Sequence, residues 1–425
     1  MRIDLDANAT TPVLPQVLEA MQPFWLERYG NPSSAHQGGQ RTRAAVEHAR
    51  TAVASLLHCA PKEIVFTSGG TESDNLALSG ILQPFLDRRA SNNEAHNEPA
   101  HLITTKIEHH AVLFAAESLE RRGIEVTYLS PDHNGVINPA DVEAAMRPHT
   151  KLVSVMLANN ETGAIQPVGK IARIAKAHGA IMHTDAVQAA AKLPLNLGSP
   201  ALSGELKNVD LLSISGHKMY APQGTGALFV RQGIELAPLF LGGPHERQRR
   251  AGTENVPGIV GLGRAAELAT AWLEGQDHQL VARTNQPTAQ IPGSQSPAEL
   301  IARRSHFERR LLALIPGATI NSGDAPRISN TINLRIDKEN GGTSGNIDAE
   351  ALLIALDLQG ISTSYGAACM SGATEPSHVL LAMGLTPEQA SSSLRLSLSR
   401  LTTDEELDRA LEIIPAAVAR LRTLS

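Results

Sequence analysis

The strongest constraint on the fold is an alternation of short apolar runs with amphipathic helical patterns in the first half of the chain. Helical patterns such as Val112–Arg121 and Val168–His178 lie between several of the apolar runs. This alternation is typical of a mostly parallel sheet with helices on both faces, so it predicts an α/β fold. The predicted strands are Ile64–Phe66, His101–Thr104, Glu125–Leu129, Leu152–Leu157, Ala180–His183, Leu211–Ile214 and Gly226–Val230.

Helical patterns precede this alternating region. Apolar residues between Leu14 and Trp25 recur at helical spacing, which predicts an amphipathic helix after Pro15 that ends near Gly30. A second, longer helix is predicted from about Gly39 to Leu57.

The pattern changes after about Arg264. The stretch Gln276–Pro297 is rich in Gln, Thr, Ser, Pro and Ala and reads as a loop or an irregular insertion, and Asn340–Asn346 reads as an exposed loop. Between and after them the sequence predicts a second, α+β unit. Its predicted elements are the helices Ala298–Leu314 and Ala349–Gln359 and the strands Ser329–Ile336 and Ser393–Ser399.

Composition narrows the possible partners and compartments. At 425 residues the chain exceeds what one hydrophobic core usually covers, so two domains are expected. The net charge of -6 comes without a long charged block, which argues against nucleic acid or an anionic membrane as a partner. Residues 1–10 lack the apolar stretch of a signal peptide, and two cysteines cannot build a disulfide framework, so we expect a cytoplasmic protein.

One lysine stands where an amine nucleophile is expected. Lys218 lies at the carboxyl end of an apolar run and is preceded by serine, glycine and histidine. Lysines in such settings form Schiff bases with carbonyl cofactors. The alternative is an ordinary loop lysine after a strand, and this stretch alone does not decide between the two.

Two further strand ends carry groups suited to an anionic, aromatic ligand. Gly70 and Thr71 lie between a strand and a helix, where backbone N–H groups, a helix N-terminus and a hydroxyl can bind phosphate or simply cap the helix. Asp185 follows another strand and can pair with a protonated ring nitrogen, while Gln188 supplies an amide to a nearby oxygen. The alternative for Asp185 is a cap of the turn that follows.

Three more segments are candidates for the same edge of the sheet. His109 follows a strand and can lie flat against an aromatic cofactor, although a single histidine is more often a packed or solvated side chain. Asn159 and Asn160 follow another strand and offer amides. Arg395 alternates with two leucines and faces away from them, either at the surface or toward a substrate carboxylate across a domain cleft.

The two cysteines differ in their surroundings. Cys369 lies among small residues bounded by Gly366 and Gly372, a setting that suits an exposed thiol on a moving loop or a loop cysteine without a function. Cys59 ends an apolar helix and is interpreted as a packing residue.

The separate indications agree with one cofactor. A phosphate cradle, an acid for a ring nitrogen, a stacking group and a Schiff-base lysine come from different strand ends, and together they are what pyridoxal phosphate requires. We therefore predict pyridoxal 5'-phosphate as the cofactor.

Short stretches spread over nearly the whole chain resemble those of the cysteine desulfurases. These are fold-type-I pyridoxal-phosphate enzymes related to the class V aminotransferases, and the resemblance is strongest to the nitrogenase-associated and iron–sulfur-assembly branch. The matching stretches are Asp6–Thr11, Gly30–Ser34, Phe66–Asn75, Glu108–His109, Asn159–Gly163, His183–Gln188, Ser215–Lys218, Arg249–Asn255, Cys369–His378 and Leu394–Arg400.

The resemblance implies roles for the residues near the cofactor ring. Lys218 would bind the cofactor covalently and then serve as the base that transfers protons. Asp185 would pair with the pyridine nitrogen, Gln188 would reach the ring hydroxyl, and His109 would stack on the ring.

It implies further roles at the two ends of the site. The remaining cofactor ligands would be Gly70, Thr71, Ser215, His217, Asn159 and, from the second subunit of a homodimer, Thr253. Asn160 and Arg395 would hold the substrate carboxylate, and no residue would bind a metal. Cys369 would accept the sulfur.

The implied enzyme converts L-cysteine to L-alanine and leaves a persulfide on Cys369 for iron–sulfur cluster or thio-cofactor assembly. Its partner would be a sulfur acceptor or an iron–sulfur scaffold protein. The implied fold has a large cofactor domain, residues 15–264, and a small α+β domain made of residues 1–14 and 265–425. A selenocysteine lyase and a binding protein that kept the fold are the alternatives, and turnover of cysteine against selenocysteine or the colour of the purified protein separates them.

The chain departs from the family in a few places. Tyr365 and Ala367 stand where the family often has small, hydroxyl-bearing residues before the nucleophile. The segments Ser91–Pro99 and Gln276–Pro297 have no counterpart that the resemblance identifies.

Overall fold

A computed structural model describes residues 2–90, 98–198, 206–275, 296–337, 347–366 and 376–424. Cys369, the predicted loop Asn340–Asn346 and most of the predicted insertion at 276–297 lie outside the described residues. Within the described ranges, no helix is both long enough and apolar enough to cross a bilayer.

The strands and helices are numbered here in chain order. The strands are β1 (Ile3–Asp4), β2 (Ile64–Thr67), β3 (His101–Thr105), β4 (Glu125–Leu129), β5 (Thr150–Ser154), β6 (Ile181–Asp185), β7 (Leu211–Ser215), β8 (Gly226–Val230), β9 (Ala318–Ile320), β10 (Thr331–Ile336), β11 (Ile361–Ser362) and β12 (Ser393–Ser397). The α-helices are α1 (Pro15–Met21), α2 (Pro23–Leu26), α3 (Gln37–Leu57), α4 (Gly70–Ala90), α5 (His110–Arg121), α6 (Pro139–Ala145), α7 (Val168–Ala177), α8 (Val256–Leu273), α9 (Pro297–Leu314), α10 (Ala349–Asp357), α11 (His378–Ala382), α12 (Pro387–Ser391) and α13 (Asp404–Leu424).

The large sheet has seven strands in the order β2-β8-β7-β6-β5-β3-β4. Strand β8 is antiparallel to both of its neighbours, β2 and β7, and the other strand pairs are parallel. Every residue of β3, β7 and β8 is buried, as expected for strands covered by helices on both faces. The predicted mostly parallel α/β sheet is therefore confirmed.

Two layers of apolar side chains enclose this sheet. One cluster of buried side chains includes Val53 of α3, Leu262 of α8 and Ile171 of α7. On the other side, Leu78 of α4 and Val112 of α5 belong to a second cluster. The sheet is thus held between two helical layers, which leaves the ends of its strands as the places where polar side chains can gather.

A separate core forms around the small antiparallel sheet, whose strands lie in the order β12-β10-β9. It buries Phe307, Leu334 and Leu396 together with Ile3 and Leu5 from the start of the chain. The first strand reaches this unit by pairing in parallel with β11.

The division of the chain into domains at about Arg264 stays a prediction. Helix α8 crosses that position. Its residues Ala265 and Leu268 pack in the large core, whereas Trp272 packs in the small one. The N-terminal residues Ile3 and Leu5 do pack with the C-terminal part of the chain.

The predicted helix between Pro15 and Gly30 is wrong in detail. Two short helices replace it: α1 ends at Met21 and α2 begins at Pro23, the position where a proline starts a new helix most easily. Leu18 and Trp25, which belong to the apolar pattern that predicts this helix, are 58% and 61% exposed. The spacing of the apolar residues predicts a helix, and the sequence signal for the break is Pro23.

Candidate active site

The carboxyl ends of several strands of the large sheet meet around one cavity of about 180 Å³. Because β8 is antiparallel to both β2 and β7, the ends of β2 and β7 lie on the same edge as those of β3, β5 and β6. The residues that line the cavity are Asn8, Ala9, Gly70, Thr71, Asp74, His109, Met156, Ala158, Asn160, Asp185, Val187, Gln188, Ser215, His217, Lys218 and Arg395.

Lys218 reaches this cavity from the turn that follows β7. Residues Gly216–Lys218 form a short 3₁₀ helix directly after the strand. The Nζ atom of Lys218 donates hydrogen bonds to the backbone carbonyl oxygens of Asn8 and Ala9, both at 2.6 Å. The amine is therefore held at the cavity wall by two neutral acceptors, a position suited to a nucleophile rather than to a solvated charge.

Asp185 ends β6 and presents a carboxylate to the same cavity. Its Oδ1 accepts a hydrogen bond from the backbone N–H of Val187 at 2.8 Å. Burial raises the pKa of Asp185 to about 6, while that N–H and the charge of Lys218 oppose the rise. Asp185 thus bonds the turn that follows and also faces the cavity, so the two roles considered for it are compatible.

A second carboxyl lies behind Asp185. Asp74 on α4 is buried, and its pKa is raised well above the usual value, first by burial and then by the charge of Asp185. Nε2 of His183 lies 3.6 Å from Oδ1 of Asp74. Burial lowers the pKa of this histidine to about 3, so its ring is neutral. A cation placed in the cavity would relieve the repulsion between the two acids.

His109 caps the N-terminus of α5. Its Nδ1 accepts a hydrogen bond from the backbone N–H of Ala111 at 3.1 Å, which leaves the proton of the neutral ring on Nε2. Burial lowers the pKa of His109 to about 4, so the ring carries no charge at neutral pH. A flat, neutral ring on the cavity wall is suited to contact with an aromatic cofactor.

An anion cradle is formed where β2 passes into α4. The helix begins at Gly70, and a Cβ atom at that position would lie 2.7 Å from Cγ2 of Val187, so no larger residue fits. The helix N-terminus, the hydroxyls of Thr71 and Ser215 and the ring of His217 line this end of the cavity. Backbone donors at the start of a 21-residue helix favour a phosphate group.

The opposite end of the cavity carries a buried guanidinium. Arg395 is 2% exposed, and it donates to Oδ1 of Asp6 at 2.9 Å and to the carbonyl of Asn160 at 3.2 Å. Its Nε has no hydrogen-bond partner among the described residues. The surface alternative for this arginine is excluded, and the unused donor fits a carboxylate of a small substrate.

The structure corrects one predicted cofactor ligand. Asn159 is fully buried outside the cavity, and its Oδ1 accepts from the backbone N–H groups of Glu161 and Thr162 while its Nδ2 donates to the carbonyl of Ile107. These bonds shape the turn, so Asn160 is the member of the pair that reaches the cavity.

Two other predicted site residues are not seen at the cavity, one because it lies outside the lining and one because it is not described. Thr253 is exposed and lies elsewhere on the surface, which leaves its role in a second subunit a prediction. Cys369 lies outside the described residues. Cys59 packs against the large core, as predicted, and burial raises the pKa of its thiol to about 12.

The sequence argument missed three groups that the structure places at or beside the cavity. Asn8 acts through its backbone carbonyl, which no side-chain pattern reveals. Asp74 lies one turn after Gly70 on α4, so helical spacing was an available signal. Lys192 is buried one turn after Gln188 and bonds to it.

Known proteins match this chain over nearly its full length. The profile of the family "Aminotransferase class-V" matches residues 3–296. A cysteine desulfurase of Trichormus azollae is 44% identical over 423 residues, which cover 100% of this chain and 94% of the relative. The cysteine desulfurase IscS of Methanosarcina thermophila is 43% identical over 421 residues, covering 99% and 93%.

The chain belongs to the cysteine desulfurase family. Solved structures agree: a NifS-like protein with 35% identity has a TM-score of 0.81 and covers 99% of this chain and 100% of its own. A structure of SspA in complex with cysteine has 34% identity and a TM-score of 0.75, covering 94% and 99%. The predicted family and fold are thereby confirmed.

Pyridoxal 5'-phosphate is the cofactor of this family, and the cavity offers the groups it needs. A dianionic phosphate suits the start of α4, where Gly70, Thr71, Ser215 and His217 line the cavity. The carboxyl groups of Asp185 and Asp74 are buried close together and the pKa of each is raised, so a protonated ring nitrogen placed beside them would be a suitable partner. The amine of Lys218 lies on the same wall.

Proposed function

We propose that this protein is a cysteine desulfurase that takes L-cysteine, releases L-alanine and leaves the sulfur on its own Cys369. The observation that carries the proposal is the meeting of Lys218, Asp185 and Arg395 around one cavity. The amine, the acid and the guanidinium are the groups needed to hold a carbonyl cofactor and an amino acid together. The full-length similarity to cysteine desulfurases supports the choice of substrate.

Pyridoxal phosphate, when bound, draws electrons away from the Cα atom of the attached amino acid. Lys218 would bind the cofactor and, once displaced, accept the proton from Cα and return it at the end of the cycle. Asp185 would hold the proton of the ring nitrogen, and His109 and Gln188 would orient the ring. Gly70, Thr71, Ser215 and His217 would bind the phosphate.

Substrate orientation falls to Arg395 and Asn160. The buried guanidinium of Arg395 is fixed by Asp6 and by the Asn160 carbonyl, so its unused N–H groups would need little further ordering to bind a carboxylate. We expect Arg395→Lys to raise the KM for cysteine at least tenfold, since a lysine cannot keep the fork of hydrogen bonds.

Sulfur transfer would be the task of Cys369. The thiolate of Cys369 attacks the sulfur of the bound cysteine, an S–S bond forms as the C–S bond breaks, and the carbon takes up a proton to become alanine. Both sides of the 367–375 stretch are tied to the cavity. Ser364 pairs with Arg395 through backbone hydrogen bonds of 3.2 and 2.7 Å, and Ser377 donates to Glu161, the neighbour of Asn160, at 2.5 Å.

The active form is proposed to be a homodimer in which Thr253 reaches the partner's phosphate site. Large apolar side chains remain exposed on the single chain, and a second copy would cover them. They include Leu26 at 82% and Leu241 at 89% exposure. The sulfur acceptor is proposed to be an iron–sulfur scaffold or a thio-cofactor protein in the cytoplasm.

The test is to incubate the purified protein with pyridoxal phosphate and L-cysteine and to measure alanine and the mass of the peptide that contains Cys369. A parallel incubation with a thiol reductant, which reduces the persulfide, measures sulfide. We expect equal amounts of alanine and transferred sulfur, with one additional sulfur atom on that peptide. Cys369→Ala should still change the cofactor spectrum with cysteine but release no sulfide, while Cys59→Ala serves as the matched control. Normal sulfide release by Cys369→Ala would refute the assigned acceptor.

A further inference from the structure

Lys192 is a buried lysine whose hydrogen bonds, among the described residues, both go to one residue. It follows Gln188 by one turn, and its Nζ donates to the backbone carbonyl of Gln188 at 3.1 Å and to Oε1 of the same residue at 3.2 Å. No carboxylate lies within ion-pair distance of this ammonium in the part of the chain that the structure describes. Burial lowers the pKa of Lys192 to about 7, and the charge of Lys218 acts in the same direction.

Burying a lysine amine without a neighbouring carboxylate costs folding free energy. The presence of Lys192 at this position therefore needs a reason other than packing. A methionine would fill the same space without that cost. In its protonated form the Lys192 side chain supplies hydrogen-bond donors and no acceptor.

That property fixes the orientation of the Gln188 amide. The atom that faces the donor-only ammonium must be the oxygen, and the atom that faces the carbonyl of Asn8, at 3.0 Å, must be the nitrogen. The carbonyl of Asn8 also accepts from Lys218, so the two lysines are connected through Gln188 and Asn8. Only one of the two N–H groups of Gln188 is used among the described residues.

We propose that Lys192 is a positioning residue that holds Gln188 with its second N–H directed at an oxygen of the cofactor ring. The inference rests on the proposed function, because it needs the ring to lie beside Gln188. Gln188 lines the cavity, and the terminal torsion of a glutamine rotates easily between its two ends. Without Lys192 only the carbonyl of Asn8 still selects the nitrogen end of the amide, so the rotated amide, whose oxygen repels an oxygen of the ring, becomes more populated.

The proposal is tested on the visible absorption of the holoenzyme as a function of pH. A hydrogen bond from Gln188 stabilises the ring oxygen in its charged form. If Lys192→Met loses this bond, the pKa obtained by titrating the visible absorption should rise by about one unit. The dissociation constant of the cofactor should be about tenfold higher for Lys192→Met than for the wild type. A purely structural role of Lys192 would lower the melting temperature and leave the titration of the band where it was.

A double-mutant cycle shows whether Lys192 acts through Gln188. Gln188→Ala should shift the band in the same direction, and Lys192→Met should add nothing in the Gln188→Ala background. Lys192→Arg keeps a donor-only group and is expected to stay near the wild-type value, while Lys62→Met, at an exposed position, is the matched control. If Lys192→Met does not fold, Lys192→Gln takes its place, because its amide can present either end and should produce a smaller shift of the same sign.

The two proposals fail in different ways. A wild-type protein that stays colourless with pyridoxal phosphate would overturn the proposed function. A coloured wild type whose titration coincides with that of Lys192→Met, or single-variant shifts that simply add in the double variant, would overturn the role of Lys192 alone.

Discussion

Glu108 allows a quantitative test of how deeply the wall of the active site is buried. Its side chain is fully buried, and Oε1 accepts hydrogen bonds from the hydroxyl of Thr105 at 2.7 Å and from the backbone N–H of Met156 at 3.0 Å. Oε2 has no hydrogen-bond partner among the described residues. Burial raises the pKa of Glu108 from 4.5 to about 8, although both hydrogen bonds oppose the rise, so the group is protonated at neutral pH.

The sign of the effect on stability follows from these two pKa values. In the unfolded chain Glu108 loses its proton near pH 4.5, whereas the folded protein keeps it up to about pH 8. Between these values the folded state binds more protons, so the free energy of unfolding falls as the pH rises. The slope is about 1.4 kcal/mol per pH unit, and the whole interval amounts to on the order of 5 kcal/mol.

The variant Glu108→Gln has nearly the same shape, can accept the same two hydrogen bonds and cannot ionise. The free energy of unfolding of the cofactor-free protein, measured by urea denaturation from about pH 5 to pH 8, should therefore fall less steeply in the variant than in the wild type. Glu27→Gln, at an exposed position, serves as the control. Parallel curves for wild type and Glu108→Gln would show that Glu108 is not a buried neutral acid.

Two further predictions concern the segment His245–Gln248. Arg50 and Glu246 form a buried pair with two hydrogen bonds of 2.8 Å, so Arg50→Met should cost about 3–5 kcal/mol by leaving a buried carboxylate unpaired. Urea denaturation checks this, with Arg121→Met as the exposed control, and a loss below about 1 kcal/mol would contradict it. Gln248 has a φ of 67°, so Gln248→Gly should change stability by no more than about 1 kcal/mol and in the stabilising direction, because relief of the left-handed conformation outweighs the entropy of glycine. A fall in melting temperature of the Gln248→Gly variant would contradict that reasoning.

The sheet could be predicted from the sequence because buried parallel strands leave continuous apolar runs. The strands β7 and β8 are buried along their whole length, and both were recognisable as such runs. The break between α1 and α2 could not be predicted from spacing, because Leu18 and Trp25 keep helical periodicity although both are exposed. An exposed apolar residue and a buried one are identical in a sequence pattern.

The site could be predicted to the extent that function resides in side chains at strand ends. Lys218, Asp185 and His109 were found in this way, and the structure brings them to one cavity. The choice between Asn159 and Asn160 depended on which amide the turn uses for its own hydrogen bonds, and adjacent identical residues give no sign of that. The carbonyl of Asn8 was invisible because it belongs to the backbone.

All the chemistry proposed for this site requires that Lys218, and not another amine, binds the cofactor. Borohydride reduction of the protein loaded with pyridoxal phosphate, followed by digestion and mass spectrometry, identifies the lysine that carries the cofactor. We expect the reduced cofactor on Lys218 and none on the Lys218→Ala variant. Attachment to the neighbouring Lys192, or no attachment to any lysine in a protein that binds the cofactor, would contradict it.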